Sequence, residues 1–415
     1  MSATVSRHFV AEKVKALCVV SDVCYTSATA LSKYDVLPAV ASGGWDNEIN
    51  HITLHAPVRP TLDELSLRRE FSHEATDGGR PCELKTVAAT EHEGGVNALQ
   101  FVVTRDEKLL VSASSTGGIF AYRVSSSTTA DDTAMTDEDA DGMLTALAMP
   151  QWEQVFAGTA ATCVEVSESR TSLVAASADG ALAWLRLDEF ASVVKIERKD
   201  MSRLPINAVK FLGRDSVVAS VGSSPAGQLR IWDLAADNQS PIATCPDTRS
   251  RSFLTSLETH PTRPELLITG AADGCVSLWD RRKLAAPFRT DTHHHRAVRA
   301  LKVHSAQPRY LYTGSDDAVV NRWDFHHGRN PSDPVEYERY SGSASSDSQS
   351  VVPFDPLVTP SSGQSEELGG LRVQQLTSGS QPWNAVAIHA ESDVLVAGSD
   401  AQTIMIVQNV SQWQQ

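Results

Sequence analysis

Short apolar runs recur along the chain, each followed by a turn of small and polar residues and then a second apolar run. The two clearest copies are Leu266 to Asp280 (LLITGAADGCVSLWD) and Tyr310 to Asp324 (YLYTGSDDAVVNRWD). Weaker copies lie at Val40 to Leu54, Leu110 to Val124, Leu173 to Leu187, Val217 to Leu234 and Val394 to Val407, which makes seven. Apolar strand, polar turn, apolar strand is the signature of a β-hairpin. A further apolar segment precedes most of these hairpins, at Val14 to Val20, Val96 to Val102, Ile206 to Leu212, Phe253 to Leu257, Val298 to Val303 and Trp383 to Ile388. These predict an inner strand for each repeat.

Trp232 and Trp279 are 47 residues apart, and Trp279 and Trp323 are 44 apart. A period close to the ~40–45 residues of a WD40 repeat, with Trp-Asp closing the third strand, predicts an all-β, seven-bladed WD40 β-propeller occupying residues 1–415 as a single domain. Little sequence follows the last hairpin, whereas a short stretch, His8 to Ala11, precedes the first inner strand. That stretch is expected to supply the outer strand of the last blade and close the ring. Three polar insertions, about 56–90, 125–160 and 326–381, are expected to separate blades as mobile, solvated loops. The second carries Asp131, Asp132, Asp137, Glu138, Asp139 and Asp141, and the third is rich in serine between residues 341 and 350.

Composition narrows the function. Hydrophobic residues make up 41% and charged residues 21%, enough apolar material for a core, but the formal charge is −15. Such a surface repels polyanions and anionic membranes, so neither direct nucleic-acid binding nor membrane insertion is expected. The six cysteines show no Cys-x-x-Cys pair, and no apolar run approaches the ~18 residues of a membrane span. Reduced thiols and a nuclear or cytosolic location follow.

No Gly-x-Ser-x-Gly elbow, His-Glu-x-x-His helix, phosphate loop or dinucleotide fingerprint occurs. The chain is therefore read as a binding platform and not an enzyme, with no cofactor, metal or small-molecule substrate. The histidine clusters His293 to His295 and His326 to His327 could suggest metal ligation. His92 and one of His293 to His295 instead fall where such repeats place a buried histidine, bonded in the latter case toward Thr313, Asp317 and Trp323. Asp179, Asp273 and Asp317 recur at one turn position, and Trp232, Trp279 and Trp323 are expected to pack between blades. Trp45 falls off that position, beside Asp46, Asn47 and Glu48. These four residues are the candidate partner contact, with Trp45 as an exposed aromatic anchor.

Several segments together resemble the 43-kDa WD-repeat nucleoporin of the Y-shaped outer-ring subcomplex of the nuclear pore. They are Gly43 with Trp45 to Glu48, the turn Ser114 to Gly117, Gly227 to Leu229 before Trp232, and Gly398 to Ala401. The chain departs from that family at His55, where a tryptophan is usual, in the longer turn Ser223 to Ala226, and in the acidic insertion. The resemblance implies a structural subunit at the nuclear pore that docks an α-helical short-arm nucleoporin and supports mRNA export and protein transport. The competing reading is an adaptor or substrate-recognition propeller of another nuclear or cytosolic complex, with aromatic and basic residues exposed around the mouth of the ring. A hydrolytic propeller, with carboxylates or a metal in the channel, is the third.

Overall fold

Seven four-stranded antiparallel sheets follow one another along the chain. The computed structural model describes residues 3–21, 37–58, 83–105, 107–125, 143–187, 193–198, 203–225, 227–236, 240–246, 252–325 and 371–413. Blade one consists of Lys13–Val20, Ala39–Trp45, Asn50–Val58 and Glu83–His92. The next five blades repeat this meander from the innermost strands Val96–Val103, Ala161–Val166, Ile206–Phe211, Leu254–His260 and Val298–Val303. Blade seven takes Trp383–His389, Val394–Ser399 and Thr403–Gln408, and its outer strand is Thr4–Phe9. Each innermost strand touches those of the blades on either side, and blade seven touches blade one, so the ring is closed.

The second strands explain why the repeats read as apolar runs. Ser172–Ser177, Tyr310–Ser315 and Val394–Ser399 are buried at every residue because blades stack face to face and cover a middle strand on both sides. The contact between blades leaves little room. A Cβ added at Gly398 of blade seven would lie 2.4 Å from Val14 Cγ1 of blade one, and one at Gly43 would lie 2.3 Å from Val96 Cγ1 of blade two.

Closure by the N-terminal segment holds, with different bounds. The strand is Thr4–Phe9 and not His8 to Ala11, paired antiparallel with Gln408 back to Thr403. Its burial merely alternates between half-buried and exposed residues, as suits an outer strand, and this alternation makes it inconspicuous in the sequence.

The insertions also sit differently from expectation. Leu144–Leu147, Arg372–Ser378 and most of Glu83–His92 fall in the three stretches expected to be loops, and they are the outer strands of blades two, six and one. The larger part of each insertion therefore leaves its blade between the third and fourth strands, whereas residues 148–160, with the short helix Pro150–Glu153, run between blades two and three as expected. In an antiparallel meander all such connections emerge on one face of the ring, here termed the loop face. The tight turns joining second and third strands lie on the opposite, turn face. The acids between Asp131 and Asp141, the serine-rich stretch, His326 and His327 lie outside the described residues.

Two rings of polar residues line the innermost strands. In every blade the pairing of first and second strands slips by one residue near the start of the first, a β-bulge. The bulged residues are Lys15, Asn97, Thr162, Asn207, Thr255, Arg299 and Asn384. Five of them donate a side-chain hydrogen bond across the seam to the next blade: Asn97 to the Ala161 carbonyl, Thr162 to Ile206, Asn207 to Leu254, Thr255 to Val298 and Asn384 to Val14, at 2.5–3.0 Å.

Three positions further along, side chains of blades two to six form a charge belt. Gln100 donates to Glu165 (2.5 Å), Lys210 pairs with Glu165 (2.8 Å) and with Glu258 (3.4 Å), and Lys302 pairs with Glu258 (3.1 Å). Burial by itself disfavours the Lys210 ammonium, but the two glutamates overcome this and hold its pKa above the ordinary lysine value. The same balance, burial opposed by Lys210 and Lys302, holds Glu258 below the ordinary carboxylate range.

Candidate functional site

The repeat-position residues occupy structural sites. Trp232, Trp279 and Trp323 are buried, and their indole N–H groups donate to Ser220, Thr269 and Thr313 at 2.8–3.0 Å. Blade six carries a complete chain of bonds. Trp323 donates to Thr313 Oγ1, Thr313 to His294 Nε2 (2.6 Å), and His294 Nδ1 to the Asp317 carboxylate (2.9 Å). His294 is thus the buried member of the trio. Burial lowers its pKa against the pull of Asp317, and the neutral tautomer with hydrogen on Nδ1 satisfies every group in the chain.

His92 does the same for blade two, donating from Nδ1 to the Gly94 carbonyl and accepting at Nε2 from Ser112. Asp273 and Asp317 each accept from the amide two residues ahead, and Asp179 accepts from Ser177, so the turn aspartates set turn geometry.

His55 takes the place of the blade tryptophan in blade one. It stands opposite Val40 as Trp323 stands opposite Leu311, and its Nε2 lies 2.8 Å from Ser42 Oγ. Burial, helped by the nearby His8, pushes its pKa down to about 4. A cavity of ≈ 290 Å³ opens beside it, lined by Val10, Glu12, His51 and Thr86 among others. The folded protein therefore refuses a proton that the unfolded chain accepts near pH 6.5, and stability is lost as pH falls from 6.5 toward 4. His55→Trp should fill the cavity, donate to Ser42 and remove this loss. We expect its unfolding free energy, read from urea denaturation, to gain on the wild type by about 2 kcal/mol more at pH 5 than at pH 7.

The candidate contact lies on the turn face where blades seven and one meet. Trp45 is half-buried and not an exposed anchor. Its Nε1 donates to Asp400 Oδ1 of blade seven (2.8 Å), and the Lys13 and Lys15 ammonium groups stand 5.6 and 5.0 Å from its ring centroid. Asp46 adopts φ 69° and pairs with Lys13 at 2.5 Å, while Asn50 holds the turn through two bonds with Asn47. Asp46, Asn47 and Glu48 are exposed. The sequence reading missed Ile49, 56% exposed in the same turn, and Phe9, 86% exposed at the end of the closing strand. An apolar residue inside an otherwise polar turn was the available signal for Ile49.

Among the described residues no group of three or more His, Cys, Asp and Glu side chains could hold a metal, and no helix is long and apolar enough to cross a membrane. Burial pushes the Cys163 thiol up to about 12 and raises Cys18 further, so both are protonated and unreactive at neutral pH.

Seven closed sheets with the His, Asp, Thr and Trp network of blade six define a WD-repeat β-propeller. The WD domain, G-beta repeat family model matches residues 239–280 and 286–324. Within that class the sequence is similar to nucleoporin Nup43. It is 29% identical to the human protein over 249 residues, 60% of this chain and 58% of Nup43, and 28% identical to mouse Nup43 over the same shares. It is also 23% identical to the nuclear pore complex protein nup43 of Dictyostelium discoideum over 137 residues, 33% of this chain and 31% of that protein. The matches thus span less than two thirds of each relative.

Proposed function

We propose that the chain is a non-catalytic structural subunit of the nuclear pore, resident at the nuclear envelope in the Y-shaped outer-ring scaffold, where it supports mRNA export and protein transport. The likeness to Nup43 over six tenths of the chain carries this reading. The Trp45–Glu48 turn in a first blade of matching pattern supports it. The turn face of blades seven and one docks a short-arm nucleoporin, with Phe9 and Ile49 as apolar contacts and Asp46 to Glu48 as a polar rim. A helix with an apolar stripe would cover both exposed apolar groups.

A tagged copy should decorate the nuclear rim in puncta and recover helical scaffold subunits at equal stoichiometry. A diffuse nuclear or cytosolic signal would favour an adaptor role and overturn the proposal. Phe9→Ser with Ile49→Asp should cut recovery of those subunits at least ~10-fold while melting unchanged, since both side chains face solvent. Full recovery would remove the turn face as the docking surface.

A further inference from the structure

The ring of bulged residues is interrupted at two places. Five seams are stitched by Asn or Thr, but the equivalent residues at the seams after blades one and six are Lys15 and Arg299. Neither reaches the carbonyl that the pattern offers, on Val96 or Trp383. Arg299 turns back within its own blade and spends Nε and Nη2 on the two oxygens of Asp316, at 2.8 and 2.6 Å. Its Nη1 is unspent. The Lys15 ammonium caps the Trp45 ring and has no hydrogen bond or ion pair with any described residue. The two cations flank blade seven on the turn face. Between them Asp400 uses one oxygen to accept from both Trp45 and Asn384. Burial and the nearness of Arg299 lower the Lys15 pKa, against the pull of Asp400.

Two seams have therefore given up a structural bond and carry a positive group on the turn face instead. The geometry points to a seat for one carboxylate between Lys15 and Arg299, filled by an Asp or Glu side chain of a peptide segment from a partner protein. The unspent groups are donors, so the ligand must accept. Asp316 and Asp400 already stand beside the two cations, which leaves no excess positive charge for a phosphate dianion, and a single carboxylate is held by the two unspent donors through charge-assisted hydrogen bonds. The chain's −15 charge repels free small anions at long range, so the acid must be brought in by a segment that makes other contacts. This seat does not depend on the pore assignment, because it follows from the ring of bulges alone.

The test compares wild type with Lys15→Asn/Arg299→Asn, which places at both seams the residue used in three of the others. Labelled heptapeptides with a central Glu, a central Gln or a central phosphoserine, in otherwise identical uncharged sequence contexts, serve as probes for fluorescence polarisation. We expect the wild type to prefer Glu to Gln by about 10-fold, as one charge-assisted bond pair would give, and to lose that preference by 0.5 M salt. The double variant should melt at or above the wild-type temperature, because it can form the two missing stitches, and should bind Glu and Gln alike. Equal binding of Glu and Gln by the wild type would overturn the seat, as would a preference retained in the variant. Tighter binding of phosphoserine would reassign it to phosphorylated segments. A lower melting temperature for the variant would show that Lys15 and Arg299 hold the ring together instead.

Discussion

Lys210→Met should destabilise the protein by about 3–5 kcal/mol, because it leaves Glu165 and Glu258 facing each other in the belt with a single remaining cation, Lys302. Methionine keeps the stem's volume, so the effect isolates the charge. The pH dependence carries the sign. In the wild type Glu258 has a lowered pKa, so its contribution is present above the ordinary value and is lost as pH falls through the folded one. In the variant Lys302 alone opposes the cost of burying the Glu258 charge, Glu258 takes up a proton more readily, and the fold gains as pH falls. The gap between the two proteins, read from urea denaturation, should therefore narrow steadily from pH 7 to pH 5. A gap that stays constant would mean that Lys210 acts by packing alone. Lys210→Met combined with Glu165→Gln should recover part of the loss even at pH 7, since it removes the nearer of the two orphaned charges.

Removing residues 1–12 should have a larger effect, loss of the monomeric fold. The segment covers Thr403–Gln408, whose Ile404, Met405, Ile406 and Val407 are all buried. Without Thr4–Phe9 that strand becomes a flat, apolar, unpaired edge, the kind that pairs with other chains. Size-exclusion chromatography with light scattering should find soluble aggregate in place of monomer. A peptide of residues 1–12 added during refolding should restore monomer in proportion to its concentration. A truncated protein that stayed monomeric and melted like the full chain would show that three strands suffice for blade seven.

Blade number, the second strands and the buried tryptophans were legible because blades cover those strands on both sides, and complete burial writes an unbroken apolar run. The outer strands were not. Glu83–His92, Leu144–Leu147 and Arg372–Ser378 face solvent along one side and alternate weakly, so they merged with the polar insertions they end. Trp45 looked like an exposed anchor because its partner, Asp400, is 355 residues away in sequence. His55 was visible as a departure, but that it leaves a cavity needed the third dimension. The belt from Gln100 to Lys302 escaped for a different reason. Each member alone reads as an ordinary surface charge, and only their shared place in successive inner strands reveals that they neutralise one another. Aligning the repeats on the bulge would have exposed both polar rings.

The closing strand also sets a clock on the protein's birth. Ala11 and Gln402, bonded across the junction, are separated by 391 residues, so the closing strand, once made, waits for a partner strand synthesised that much later. At about 5–20 residues per second that wait is on the order of 20–80 s. For all of it the inner blades can stack in order, but none can be locked into a circle. The nascent ring is an open horseshoe with a sticky strand at its leading tip, and its need for chaperones should end at the moment Thr403–Gln408 comes clear.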